Sequence, residues 1–305
     1  MTLLKSSRFL TFGLALVLTG FGAESAHAYD VWSQSIIGVV NRDYGGQMGF
    51  LDFQHTGDSS FIQTSTNTSF TGLDGNNVQQ TMNFTAINQA QSNFGQLHLY
   101  AGGSVTNSYY NAANPYFYNS NTNDFNPMGT PDTMCSLGFA GFNDTLHFGG
   151  ALQAGYKARY LFHVDGTNSG YGVMADLAVN IAGHDESFFA VDPGFIDTVW
   201  ATQAYDINGI DPQEIHVQFS NQFVVDTYNV ADGSNLVGYS DFSSTLTLAG
   251  IEVLDANGNQ VTGWTLESES GTVYNGIGSV PEPGSMLVIA VGAIGFLARK
   301  RRQSH

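Results

Sequence analysis

The feature that most constrains the fold of this chain is an alternation of apolar and polar side chains. In the clearest stretch, every second residue is apolar and shares one face of an extended strand: Tyr156, Ala158, Tyr160, Phe162 and Val164. Lys157, Arg159 and His163 point the other way, and the alternation recurs in Ile215–Phe219 and Thr245–Leu248. No segment between the two ends of the chain keeps a helical repeat of apolar residues for long. The sequence therefore predicts an all-β fold.

Turn-forming residues separate these stretches at close intervals. The interior is poor in Lys, Glu and Arg and rich in Gly, Asn, Ser and Thr, which favour strands and turns. Ile251–Leu254 runs into Asn257-Gly258 and then Val261–Leu266, and Asn-Gly between apolar strands is a strong β-hairpin signal. We predict an antiparallel sandwich of two sheets, for which a jelly roll is one arrangement.

The N-terminal residues have the three parts of a secretory signal peptide. A short basic region precedes the apolar run Phe9–Phe21, and Ala26 and Ala28 form an A-x-A cleavage site. The alternative is a retained transmembrane helix, but the run is shorter than the roughly 20 residues that a span needs. We therefore predict that residues 1–28 are a signal peptide for the general secretion machinery, and that signal peptidase cuts before Tyr29.

The C-terminal residues combine a proline-rich motif, an apolar run and a basic cluster. The motif consists of Val280, Pro281, Glu282 and Pro283. The apolar run, 285–298, precedes the basic cluster of Arg299, Lys300, Arg301 and Arg302. This order resembles the PEP-CTERM sorting domain, whose signal is read by exosortase, a membrane-embedded thiol protease. The resemblance implies that residues 279–305 are a sorting tail and that exosortase is a partner.

The tail also has a physical interpretation of its own. Two prolines keep the residues before the apolar run extended and accessible to a protease. The run predicts a short transmembrane helix over 285–298, and the basic cluster places its C-terminal end on the cytoplasmic side. An ordinary membrane anchor without processing is the alternative. We expect an exported ectodomain, 29–278, held at the inner membrane before processing and found afterwards at the cell surface or in the extracellular matrix.

The predicted ectodomain is strongly acidic and has a single cysteine. Its basic residues are Arg42, Lys157 and Arg159, and the 26 Asp and Glu of the chain less Glu24 and Glu282 leave 24, so its formal charge is 3 − 24 = −21. Such a charge excludes nucleic acid as a natural partner and also serves solubility. Because Cys135 is the only cysteine, no internal disulfide can form, and we expect a buried, unreactive thiol.

One long segment, 106–133, breaks the strand pattern. It contains six aromatic residues among many Asn and three prolines. Connections of this length are usually functional or disordered. If its rings are exposed, Tyr116, Phe117 and Tyr118 are the candidate contacts for a glycan; the alternative is that the segment folds down onto the sandwich with its rings buried.

Other polar clusters give weaker signals. Three Asp-rich segments fit Ca²⁺-binding loops or simple turns: Asp165–Asn168, Asp192–Asp197 and Asp206–Asp211. His163 and Asp165 share a strand face without a second ligand pair, and we interpret His184-Asp185-Glu186 as a polar turn. We therefore predict no metal site and no cofactor, with Ca²⁺ as the open alternative.

The function predicted from these features is that of an exported surface or matrix protein. In bacteria with this sorting system, the resemblance implies an association with exopolysaccharide and biofilm. We expect no catalytic residues, because the nucleophile elbow, the phosphate loop and the zincin helix are all absent from the sequence. Two alternatives remain: a carbohydrate-binding module that uses segment 106–133, and a secreted glycan-active hydrolase with paired carboxylates.

Overall fold

The computed structural model describes residues 29–41, 47–73, 79–107, 133–190, 193–207, 212–226 and 235–277. Within these ranges the chain forms strands and turns and no helix, which confirms the all-β prediction. The strands are β1 (Asp30–Asn41), β2 (Gln47–Thr56), β3 (Ile62–Leu73), β4 (Gln79–Asn93), β5 (Gln96–Asn107), β6 (Thr133–Gly150), β7 (Lys157–Gly170), β8 (Val173–Ile181), β9 (His184–Ala190), β10 (Gly194–Ala201), β11 (Tyr205–Asp206), β12 (Gln213–Asp226), β13 (Asn235–Leu254), β14 (Trp264–Ser268) and β15 (Gly276–Ile277).

The strands form two sheets. Sheet A has the order β2-β1-β6-β12-β8-β9, with β14 also paired to β6. Sheet B has the order β10-β7-β13-β5-β4-β3, with β11 paired to β7 and β15 to β13. All pairs are antiparallel except the short parallel pair of β13 with β15. Two antiparallel sheets were predicted, and the structure confirms them.

The connectivity of eight strands is that of a jelly roll. β5 pairs with β13, β6 with β12, β7 with β10 and β8 with β9, so the chain forms a long hairpin that folds over itself. The two halves of that hairpin give the orders β5-β13-β7-β10 and β6-β12-β8-β9. β1 to β4 extend both sheets beyond β5 and β6 on the same side of the sandwich.

The main core lies between the sheets and follows the predicted alternation. On β7 the inward residues Ala158, Tyr160, Phe162 and Val164 are all buried. Tyr156 precedes the strand and is only half-buried, because β7 begins at Lys157. On β12, Ile215, Val217 and Phe219 are buried in the same cluster.

A layer of buried polar side chains separates this cluster from a second one around Phe84 and Phe223. Its members include Asn88 on β4, Ser136 on β6 and Asn221 on β12. Asn88 Nδ2 donates a hydrogen bond of 3.3 Å to Ser136 Oγ, and Asn221 Nδ2 donates one of 3.0 Å to the Ser240 carbonyl oxygen. Because a slip of one residue would leave these groups without partners, the layer fixes the register of the sheets.

β6 is buried on both faces over most of its length. Its outward residues Cys135, Leu137 and Phe139 form a separate cluster with Ile36 on the outer face of sheet A. Burial raises the pKa of the Cys135 thiol to about 12. The prediction of a buried cysteine is confirmed.

The predicted hairpin after β13 is wrong beyond its turn. The turn is present, because Asp255 Oδ1 accepts hydrogen bonds of 2.8 Å from the backbone N–H groups of Asn257 and Asn259. After one bridge between Leu254 and Gln260, however, the chain leaves β13, and β14 pairs with β6 of the other sheet. The driving force is burial of Trp264, which is fully enclosed in the core.

Candidate functional site

The last described segment, Trp264–Ile277, forms a strap across the edge of the sandwich. Its first part, β14, lies beside β6 in sheet A, and its last part, β15, lies beside β13 in sheet B. Between them, Glu269 N donates a hydrogen bond of 3.0 Å to the Thr145 carbonyl oxygen, and Ile251 N donates one of 2.9 Å to that of Asn275. The strap is therefore bonded to both sheets.

A buried carboxylate, Asp144 on β6, holds the middle of this strap. It accepts hydrogen bonds from Ser270 Oγ at 2.6 Å, from Ser270 N at 3.2 Å and from Tyr274 Oη at 2.7 Å. Thr145 N donates a further bond of 2.8 Å to the same side chain. Burial, and next the hydrogen bond to Asp144, raise the pKa of the Tyr274 hydroxyl, so Tyr274 remains a donor. These four donors provide partners for both oxygens of the buried Asp144 side chain.

The strap brings the chain to the predicted sorting motif. β15 ends at Ile277, three positions before Val280. Only a short piece of sequence therefore separates the hydrogen-bonded strap from the residues that a processing enzyme would recognise.

The basic side chains among the described residues are both paired. Lys157 Nζ lies 3.3 Å from Asp206 Oδ1, and Arg159 Nε donates a hydrogen bond of 3.0 Å to Glu252 Oε2. Both pairs lie at the start of β7. The rest of the described surface is thus acidic or neutral, as the composition predicted.

Of the three Asp-rich segments, the candidates for Ca²⁺-binding loops or simple turns, two lie side by side, because Asp165 pairs with Asp197 in register. Asp165–Asn168 lies inside β7 and is not a loop, and Asn168 is buried and donates a 2.6 Å hydrogen bond to the Ala190 carbonyl oxygen. Asp197 lies in β10 and Asp206 in β11, while Asp192 and Asp211 fall outside the described residues. The described ranges contain no group of three or more His, Cys, Asp or Glu placed to hold a metal ion.

Of the two histidine clusters, His163 and Asp165 share one face of β7 as predicted, and the second cluster differs from the prediction. His163 Nε2 lies 2.7 Å from Asp197 Oδ1, so its partner comes from the neighbouring strand β10. The predicted polar turn at His184–Glu186 is wrong, since these residues begin β9 and the turn before them is Ala182-Gly183. Glu186 Oε1 accepts hydrogen bonds from Gln203 N at 2.8 Å and from the Tyr205 hydroxyl, which gives this carboxylate a structural role.

The remaining predicted site residues fall outside the described part of the chain. They are the signal-cleavage residues Ala26 and Ala28, the motif Val280–Pro283, the basic cluster Arg299–Arg302 and the candidate glycan contacts Tyr116, Phe117 and Tyr118. The predicted transmembrane helix over 285–298 lies there too. In the part that is described, no helix has the length and apolar character of a membrane span.

Residues 279–302, directly after the strap, match the family of the PEP-CTERM protein-sorting motif. The chain carries a PEP-CTERM sorting motif. This motif implies processing by exosortase and a secreted protein that is held at the membrane until it is processed. A search of the curated proteins found no match to the chain. The PEP-CTERM match covers the tail, so the role of the ectodomain has to be argued from its own structure.

Sequence analysis missed the contact of Asp144 with the strap. Nothing local marks Asp144 as the partner, because it lies 126 positions from Ser270. Asp144 is the only carboxylate in a long strand of mostly apolar and small residues, and this is the one signal that points to a buried role.

Proposed function

We propose that this PEP-CTERM protein is an exported, non-catalytic β-sandwich that exosortase processes for display at the cell surface or in the extracellular matrix, in association with exopolysaccharide and biofilm. The observation that carries the proposal is the sorting motif at 279–302, immediately after the strap, which is the last segment that the structure describes. The signal peptide predicted over 1–28 and the membrane helix predicted over 285–298 belong to the same proposal. They supply entry into the secretion machinery and a temporary inner-membrane anchor.

The surroundings of the described carboxylates support a non-catalytic role. A glycosidase needs two facing carboxyl groups, one with a raised pKa. Burial raises the pKa of Asp176 to about 6, yet its neighbours in register are Ser220 on β12 and Phe189 on β9. Of the other shielded carboxylates, Asp144 holds the strap and Glu252 pairs with Arg159.

The test compares processing of the natural chain with that of a variant in which Pro281, Glu282 and Pro283 are all changed to Ala. Each is produced in cells with and without exosortase, and membrane and extracellular fractions are compared on gels. We expect a shortened extracellular product only from the natural chain in cells with exosortase. An identical product in all four combinations would reduce the tail to a simple anchor and overturn the proposal.

A further inference from the structure

On β3 and β4, the outer face of sheet B carries amide and hydroxyl side chains that bond across the strands. Gln89 Nε2 donates a hydrogen bond of 2.8 Å to Gln63 Oε1 on the neighbouring strand. Past the next outward pair, Ser65 and Ile87, Thr85 and Asn67 lie opposite each other, and beyond them Ser69 Oγ donates a 2.7 Å bond to Asn83 Oδ1. These cross-strand bonds hold the polar side chains in fixed positions on the sheet.

Tyr100 lies on this face with its ring along its own strand. Its neighbours Leu99 and Ala101 point into the core and are fully buried. A Cβ atom placed on Gly102 would lie 2.7 Å from Tyr100 Oη and 3.0 Å from Cζ. The ring therefore occupies the space that a side chain at position 102 would need, and it lies flat on the sheet because that residue is glycine.

Tyr239 and Asp241 on β13 complete the group. Tyr239 pairs with Gly102, and Asp241 pairs with Tyr100, so the two rings are diagonal neighbours around Gly102. Burial raises the pKa of Tyr100, and the charges of Asp241 and Tyr239 add to this effect. Tyr239 is 39% exposed. We call Tyr100, Tyr239 and Asp241 the tyrosine platform.

The charge around the platform restricts what it can bind. The described cations nearest along sheet B, Lys157 and Arg159, lie at the far end of β7 and are paired with Asp206 and Glu252. Thr167, the β7 residue opposite Asp241, is eight positions from Arg159, or about 26 Å along a strand. The platform thus carries one carboxylate and no cation among its described neighbours, so an anionic polymer would be repelled.

We propose that the tyrosine platform binds a neutral polysaccharide. The two rings present apolar faces to the C–H groups of a sugar ring, while Asp241 and Gln89, which flank Tyr100 in register, face its hydroxyls. The face runs across the neighbouring strands β13, β5, β4 and β3, and an extended face of this kind suits a polymer. This inference deepens the proposed association with exopolysaccharide and is independent of exosortase processing.

The test measures retention of the purified full-length chain, kept in mild detergent, on amorphous cellulose, with soluble dextran and alginate as competitors. Tyr100→Ala and Tyr239→Ala each remove one ring. Each should weaken retention at least about tenfold, which is the loss of affinity expected when a residue at the centre of a binding surface is truncated. Tyr100→Phe keeps the ring and should weaken retention less than Tyr100→Ala does. Gly102→Val keeps both tyrosines but displaces the Tyr100 ring, so it should weaken retention as Tyr100→Ala does.

The matched control is Phe189→Ala, which removes a ring that is 55% exposed on the outer face of sheet A. It should bind as the natural chain does. Urea unfolding checks that every variant is folded.

The inference is supported if dextran reduces retention and alginate does not, and if only the platform variants lose retention. No retention on cellulose, competition by alginate, or equal binding by the folded platform variants overturns it. Exosortase processing of Tyr100→Ala should be normal, so a failure of sorting and a failure of binding are seen separately.

Discussion

The hydroxyl of Tyr274 donates a 2.7 Å hydrogen bond to Oδ2 of Asp144, across 130 positions of sequence. This contact joins the last segment that the structure describes to β6, a central strand of sheet A. Together with the bonds from Ser270 it fixes the place from which the chain continues toward the sorting motif.

Replacing Asp144 with Asn should release the strap. The variant loses charge-assisted hydrogen bonds in a buried place, and we expect the free energy of unfolding to fall by about 2–4 kcal/mol. The freed strap should become sensitive to a glutamate-specific protease at Glu267 and Glu269. Urea unfolding and limited proteolysis measure the two effects. Asp58→Asn, in an exposed turn bonded to Thr56 and Ser60, is the control and should change neither. Unaltered proteolysis of Asp144→Asn would show that the bonds to Asp144 do not hold the strap.

Gly172→Ala should destabilise the protein far more than Gly183→Ala. Both glycines have positive φ, 67° and 83°. A Cβ at Gly172 would lie 1.9 Å from the Val224 carbonyl oxygen, whereas a Cβ at Gly183 has nothing within 4 Å. We expect the free energy of unfolding to fall by about 1 kcal/mol in Gly183→Ala and by more than about 3 kcal/mol in Gly172→Ala. Thermal and urea unfolding measure both, and equal losses would contradict the close approach of Gly172 to β12.

The stability difference between Asp176→Asn and the natural protein should depend on pH. Burial raises the pKa of Asp176 from 3.8 to about 6, so the folded state binds this proton more tightly than the unfolded state. The stability that this proton binding contributes to the folded state is then complete below pH 4, and it is lost as the pH rises through 6. The free energy of unfolding of the variant, measured relative to that of the natural protein, should therefore rise by about 2–3 kcal/mol between pH 4 and pH 7.5. Urea unfolding at a series of pH values measures the difference, and a constant difference would show that Asp176 does not titrate in this way.

Cys135 should resist thiol reagents in the folded protein. Its side chain is 3% exposed, and burial raises its pKa to about 12. At pH 8 we expect a reaction with an aromatic disulfide reagent at least about a hundredfold slower than in the unfolded chain, because both the thiolate fraction and access are reduced. The same protein in guanidinium chloride is the control and should react fully. Prompt reaction of the native protein would mean that the outer face of β6 opens readily.

The alternation of apolar residues was enough to predict the fold class and the buried face of β7. Each inward residue from Ala158 to Val164 is set by local pattern alone. The predicted hairpin failed because partner choice is a long-range property. Leu254 and Gln260 form the expected bridge, but burial of Trp264 beside Phe148, with ring centroids 5.8 Å apart, draws the next strand to sheet A.

The candidate sites show the same contrast between features set by local sequence and features set by long-range pairing. The sorting motif is a contiguous signature, so sequence analysis found it, and the family match confirms it. The tyrosine platform depends on Gly102 and Tyr239, which only the register of β5 with β13 brings together. The pattern Tyr-x-Gly on an outward strand face is the signal that was available, yet it carries no information about the neighbouring strand.

The mass of the exported, processed protein tests the central claim most directly. Intact mass spectrometry of the protein from the cell surface or medium, with sequencing of both ends, gives the two termini of the mature chain. The account predicts a chain that begins at Tyr29 and ends at or next to Pro281-Glu282-Pro283, after the strap and before the apolar run. A product that begins at Met1, or that retains the basic cluster Arg299–Arg302, would contradict it.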